Sequence, residues 1–233
     1  KDFNLNFTAT YNYNKNNIDN LMEGVTAQYG SQWASTATQP NYDYLFAVGS
    51  QVGLIRGYKC DGFYKPSDFD YANGVYTLKS GVADVSSTIT GNYPSPFKLA
   101  SGQIAFPGAI KLRDVDGNGK VDADDVTDLG EVTPKHTGGF SLNANYKGFD
   151  LGTTFVYAIG GKVYNANAMA NMYGNKDNSI GSNRLAFVKD CYQVYTVNSG
   201  ELAAVTDPTT LESLNAGAKY GVPYYENGVV LST

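Results

Sequence analysis

The sequence predicts an all-β protein: part of a transmembrane antiparallel β-barrel with long loops on one side. Three observations predict it. Phe3-Asn4-Leu5-Asn6-Phe7-Thr8-Ala9-Thr10-Tyr11-Asn12-Tyr13-Asn14 alternates apolar and polar without an error, and its polar side carries no charge. The same alternation returns in Phe140-Ser141-Leu142-Asn143-Ala144-Asn145-Tyr146, and a second strand from Phe149 to Ile159 follows across a Lys147-Gly148 pair. Finally, 19 Tyr and 26 Gly against 8 Pro suit strands and turns better than helices.

Strict period-two alternation places one row of side chains on each face of a strand. Runs of about eleven residues exceed the five or six common in globular sheets and match the nine to eleven that cross a bilayer when tilted. Two residues ending in Gly between alternating runs predict a hairpin, with Tyr146 and Phe149 at its base. Aromatic residues at strand ends suit the interfacial girdles of a barrel, and the uncharged Asn/Thr row suits a wet interior. A soluble β-sandwich would alternate too, but with shorter strands and more exposed Lys and Glu.

Elsewhere the pattern is weaker. A short helix is expected around residues 17–24, within a polar stretch from 15 to 41. Asp61-Gly62 and Asn73-Gly74 predict turns, with shorter strands over 51–59 and 74–79. Residues 94–107 read as irregular, 164–172 and 183–192 as helical turns, and 196–233 give no clear element. Connections this long are usually functional, and short turns opposite long loops is the arrangement of an outer-membrane barrel.

Composition excludes some roles. Net charge is −5 with no run of Lys or Arg, so nucleic-acid binding has no electrostatic support. No apolar run reaches about 18 residues, so no transmembrane helix is expected. The chain begins without the charged and apolar regions of a signal peptide, as expected of a processed chain or a piece of a longer one. Cys60 and Cys191 have no metal or redox spacing; they read as incidental thiols or as a disulfide between loops in an oxidising compartment. His136 is the single histidine and reads as an ordinary polar loop residue just before a strand. Carboxylate pairs for glycoside hydrolysis are defined by a spatial separation that spacing along the chain does not give, but the acids concentrate in the loop described next, where metal ligation explains them, so no enzymatic role is expected.

One stretch carries sharp chemistry. Asp114-Val115-Asp116-Gly117-Asn118-Gly119-Lys120-Val121-Asp122-Ala123-Asp124-Asp125 follows the calcium-loop pattern D-x-[DN]-x-[DN]-G with an acid at its twelfth position. Asp114, Asp116, Asn118, Asp122 and Asp125 offer side-chain oxygens at the first, third, fifth, ninth and twelfth positions, and Lys120 offers its carbonyl at the seventh. Gly119 stands where such a loop bends sharply. Ca²⁺ takes six to eight hard oxygens, about what this loop supplies. Asp125 replaces the usual Glu with a shorter arm, and no helix is expected before the loop. A structural ion is therefore expected, not a sensor; the alternative is an acidic turn that tolerates cations without needing one.

Here the residues resemble a family. Pro107-Gly108-Ala109-Ile110-Lys111-Leu112-Arg113, the acidic loop, Asp128-Leu129-Gly130, and Gly139 through Tyr146-Lys147-Gly148-Phe149-Asp150-Leu151 resemble SusC/RagA-type TonB-linked outer-membrane proteins. Val52-Gly53-Leu54-Ile55-Arg56-Gly57-Tyr58-Lys59-Cys60-Asp61-Gly62-Phe63-Tyr64 resembles an earlier stretch of the same family. The resemblance covers much of residues 1–165 and is loose over 166–233. It implies a plugged barrel of about 22 strands that imports oligosaccharides or peptides, a SusD-like surface lipoprotein over its mouth, and a TonB system driving transport. Residues 1–233 would then be one section from the C-terminal half of the barrel domain, without the plug. Residues 108–130 would form an extracellular insert holding Ca²⁺, and the strands would face outer-membrane lipid. The rival expectation is a secreted, calcium-braced β-sandwich that binds carbohydrate. In it the Phe3, Phe7, Tyr11 row would be buried against a second sheet.

Overall fold

Strands form wherever the alternation runs long, and also where it is too short to read. The computed structural model describes residues 3–30, 44–86, 95–163 and 186–222. In chain order the described strands are β1 (Phe3–Tyr13), β2 (Ala27–Tyr29), β3 (Tyr44–Ala47), β4 (Leu54–Gly57), β5 (Cys60–Phe63), β6 (Phe69–Ala72), β7 (Val75–Leu78) and β8 (Asp84–Val85). There follow β9 (Lys98–Leu99), β10 (Ile110–Leu112), β11 (Lys120–Val121), β12 (Thr127–Glu131), β13 (His136–Tyr146), β14 (Phe149–Ile159), β15 (Tyr195–Asn198) and β16 (Glu201–Ala204). Among the described residues there are also one α-helix, α1 (Pro208–Leu214), and three short 3₁₀ segments. The protein is all-β. The described residues divide into two units: 3–30, 44–55 and 130–163 in the first, and 56–86, 95–129 and 186–222 in the second.

The first unit is built on an antiparallel sheet of β1, β13 and β14, each 11 residues long. Phe3 pairs with Tyr146 and Tyr146 with Phe149 at one end; Tyr13 pairs with His136 and His136 with Ile159 at the other. This register gathers the apolar rows onto one face. Phe3, Leu5, Phe7, Ala9, Tyr11 and Tyr13 lie beside Tyr146, Ala144, Leu142, Phe140, Gly138 and His136, and these beside Phe149, Leu151, Thr153, Phe155, Tyr157 and Ile159. Cross-strand ring pairs stitch the face: Phe7 with Phe140 at 6.5 Å, and Phe140 stacked on Phe155 at 4.8 Å. The opposite face carries Asn4, Asn6, Thr8, Thr10 and Asn12 with Asn145, Asn143, Ser141 and Thr137, and Asn145 donates to the Asp150 carboxylate.

The apolar row is not covered. Phe3 is 57% exposed, Phe7 62%, Tyr11 65% and Phe149 81%. Lys147 (φ 48°) and Gly148 (φ 87°) both take the left-handed conformation, the mark of a type I′ hairpin. At the other end Gly138 lies under its cross-strand partner Tyr157, whose hydroxyl would stand 2.6 Å from any Cβ there. Glycine is needed because β1, β13 and the Tyr157 ring converge at that point.

No helix forms around residues 17–24. The Ile18 amide instead donates to the Ser50 carbonyl (2.8 Å), Gly49 returns the bond to Ile18 (2.8 Å), and Asn16 accepts from the Val52 amide (2.9 Å). Pairing with a distant segment satisfies this Asn-rich backbone better than a helix of poor formers would. The strand expected over 51–59 is shorter, β4, and the one over 74–79 is β7. β7 joins β6 through an Asn73-Gly74 turn (φ 52° and 79°), as expected. Asp61-Gly62 is not a turn. It lies inside β5, where Gly62 (φ 94°) accommodates a register irregularity against β10.

The second unit contains the hydrophobic core. Tyr64, Phe69, Tyr76, Phe97 and Phe106 pack with Tyr192, Leu211 and Val222, their rings meeting edge to face or tilted, as in Phe69 on Tyr76 (5.8 Å, 87°). The buried Tyr64 and Tyr76 hydroxyls donate to the carbonyls of Ala83 and Thr206, each at 2.7 Å. Gly108 (φ 92°) lies against the Tyr192 ring, where a Cβ would collide with ring carbons. Residues 94–107 are not wholly irregular, since β9 pairs in parallel with β7. Beyond residue 196, β15 and β16 form a hairpin about Ser199-Gly200 (φ 52° and 87°), and Asp207 caps α1 by accepting from the Thr210 amide at 2.9 Å. The helical turns expected over 183–192 are a 3₁₀ turn at Ala186–Asp190; those expected at 164–172 lie outside the described residues.

Candidate metal centre

The acidic loop is held at both ends by strands. β10 delivers the chain to Asp114, with the Arg113 amide donating to the Lys59 carbonyl (2.8 Å) and its guanidinium pairing with Asp61 (2.6 Å). No helix precedes the loop, as expected. β11 then pairs in parallel with β8, and the Ser86 amide donates to Val121 (2.9 Å). A 3₁₀ turn, Ala123–Asp125, closes the loop. Asp122 accepts from the Asp124 amide (3.0 Å), and Asp125 accepts from the Asp122 amide (2.8 Å).

Inside this frame the carboxylates converge. One oxygen from each of Asp114, Asp116 and Asp125 lies within 4.8 Å of the others. Backbone amides aim them: Asp114 accepts from Gly117 (2.6 Å) and Gly119 (2.8 Å), and Asp125 from Val115 (2.5 Å) as well as from Asp122. Gly117 (φ 76°) and Gly119 (φ 86°) make the turns that point these amides inward. The Gly119 amide above all, with that of Gly117, holds the Asp114 carboxyl below the usual carboxylate range. Asp125 is fully buried, and among the described residues no Lys or Arg forms an ion pair with Asp114, Asp116, Asp122 or Asp125.

The other predicted ligands stand on the same turn. Asn118 accepts from the Lys120 amide (2.8 Å) and donates to Asp116 (2.9 Å). Asp122 lies outside the converging trio, its Oδ1 engaged by Asp124. Chemically the arrangement is a set of hard, negatively charged oxygens, the donor type that suits calcium or magnesium and not a softer metal.

Beneath the loop lies a residue that sequence reasoning passed over. Tyr58 is fully buried among Val85, Ile110, Leu112 and Val121, the last being the loop's eighth residue. Its hydroxyl has no hydrogen-bond partner among the described residues. Burial, then the Asp122 and Asp125 charges, push the phenol well above its ordinary range. Nothing in the spacing marks this tyrosine among 19.

His136 is not a loop residue. It opens β13, its Nδ1 lies 2.8 Å from the Tyr11 hydroxyl, and its ring sits 5.1 Å from Tyr13. Two aromatic side chains on the neighbouring strand hold it in the sheet. Cys60 and Cys191 are both free thiols, and burial raises each above the usual thiol range.

No family model matches the chain. Over 168 residues, 71% of the chain, it is 27% identical to TonB-dependent receptor P3 of Formosa agariphila. The chain covers 14% of that receptor's length. An all-β chain with three long amphipathic strands is thus distantly similar to one stretch of a TonB-dependent receptor.

Proposed function

We propose that this chain is a section of an outer-membrane, TonB-dependent nutrient importer in which β1, β13 and β14 are wall strands. The observation that carries the reading is the exposed apolar face of that sheet. Ten steps of about 3.4 Å, tilted by about 45°, rise about 24 Å, close to the roughly 25 Å apolar band of outer-membrane barrels. Phe3, Tyr146 and Phe149 would form one interfacial girdle, and Tyr11, Tyr13, His136 and Tyr157 the other. The Asn/Thr face would line the wet interior.

The two-residue Lys147-Gly148 turn is then periplasmic, as short turns are in such barrels. By connectivity the segment between Tyr13 and His136, acidic loop included, lies on the outer side. There, millimolar calcium would fill a modest-affinity loop. Asp114, Asp116 and Asp125 would hold the ion directly, with Asn118, the Lys120 carbonyl and Asp122 completing the shell. The ion's part is structural: it neutralises three carboxylates that otherwise repel one another. Similarity to a TonB-dependent receptor supports transport rather than catalysis. The finer reading is a SusC/RagA-type protein that takes up oligosaccharides or peptides under a SusD-like lipoprotein, driven by a TonB system acting on another part of the parent protein. It rests on the motifs around the acidic loop and the hairpin. Exposure of the Phe3, Phe7, Tyr11 row counts against the calcium-braced, carbohydrate-binding β-sandwich, in which that row would be buried.

Fractionation of the native parent protein tests the first claim: recovery with outer-membrane lipid supports it, and a soluble parent refutes it. Elemental analysis tests the second. The parent should carry calcium that is lost in the Asp114→Ala, Asp116→Ala double variant, and equal calcium in both would refute the assignment.

A further inference from the structure

We propose that Tyr58 is a positioning residue of the calcium loop, its hydroxyl donating to Asp122 Oδ2 when the loop closes on the ion. The inference rests on the calcium reading above and identifies a part of the site outside the loop motif.

Three observations meet here. Tyr58 is fully buried, and a buried hydroxyl with no partner is costly enough to need a reason. Tyr58 shares its buried cluster with Val121, the residue that precedes Asp122. Asp122 engages Oδ1 with the Asp124 amide, which leaves Oδ2 for a further donor. The two are not hydrogen-bonded in the structure, so the bond belongs to a slightly different loop arrangement. Ninth-position side chains of calcium loops often reach the ion through water, which leaves their direction to be set by other donors. A phenol anchored in an apolar cluster supplies such a group without adding charge, as outer-shell donors do at other metal sites.

The experiment compares Tyr58→Phe with wild type in the full-length parent protein, using calcium alone as the probe. Calcium affinity comes from titration calorimetry and the melting temperature from samples in chelator. Loss of one hydrogen bond to a charged carboxylate predicts calcium binding weaker by about ten-fold or more. In chelator the variant should melt no earlier than wild type, because no bond made by the hydroxyl is lost there. In an Asp122→Ala background, Tyr58→Phe should change affinity no further. Unchanged affinity in the single variant overturns the proposal, as does earlier melting in chelator, which would show an ordinary structural hydroxyl. Failure of wild type itself to bind calcium would instead strike the calcium reading, and this inference with it.

Discussion

Replacing Phe7 with arginine places a charge near the middle of the proposed lipid-facing row. Phe7 stands four steps from Phe3 and six from Tyr13 along β1. At about 2.4 Å of height per tilted step it lies about 10 Å above the Phe3 girdle, near the centre of a band roughly 25 Å tall. A guanidinium at that depth costs about 2–4 kcal/mol, against about 0–1 near either interface. Phe3→Arg should therefore cost little. Thr8→Arg, one residue from Phe7 but on the wet face, should stay within about 0.5 kcal/mol of wild type. Phe7→Ala reports the loss of the Phe140 ring contact without a charge. The assay is urea unfolding of the parent protein from lipid vesicles, read by gel mobility. The expected order of cost is Phe7→Arg well above Phe7→Ala, then Phe3→Arg, then Thr8→Arg. Equal costs for Phe7→Arg and Thr8→Arg would refute the reasoning, because adjacent residues would then share one environment.

Gly108→Ala should destabilise the protein by about 1–3 kcal/mol, since alanine at φ 92° is strained and its Cβ meets the Tyr192 ring; a melting temperature equal to wild type would contradict that packing. Acid should loosen the second unit. The Arg113 hydrogen bond lowers the pKa of Asp61, and the Thr210 amide that of Asp207. Groups depressed in the folded state stabilise it fully above their unfolded value, about 3.9, and lose that effect as pH falls through the lower folded values. Amide exchange at residues 59–63 and 208–214 should accordingly accelerate, relative to the intrinsic rate, as pH drops below about 4. Asp61→Asn should flatten that response at 59–63 alone.

The long sheet was legible because eleven residues of alternation leave one assignment of faces, and Lys147-Gly148 supplies the turn that locks the register. The convergence of Asp114, Asp116 and Asp125 was legible because acids recur at fixed intervals about Gly117 and Gly119, which turn the chain back on itself; that Asp122 stands outside the trio was not. Short elements were not. β15 and β16 have four residues each, too few for periodicity to outweigh composition, although Ser199-Gly200 marked their turn. The signal for α1, with Asp207 as cap and Pro208 in the first turn, is local, but seven residues are too few for a helical period to show, and no element was expected there. The helix expected over 17–24 lost to pairing with residues 49–52, a contact between distant segments that local propensity does not encode. Tyr58 belongs to the same class: only the folded core places it beneath Val121.

A barrel wall and a buried sheet differ most directly in which face of β14 meets lipid. Nitroxide side chains placed one at a time at Leu151, Gly152, Thr153, Thr154, Phe155 and Val156 of the membrane-embedded parent protein would decide it, by collision with oxygen and with a water-soluble nickel chelate. A wall strand gives oxygen maxima at 151, 153 and 155 and nickel maxima at 152, 154 and 156, two period-two waves in opposite phase. Strong nickel accessibility at 151, 153 and 155, or protection of that row from both reagents, would contradict the wall assignment.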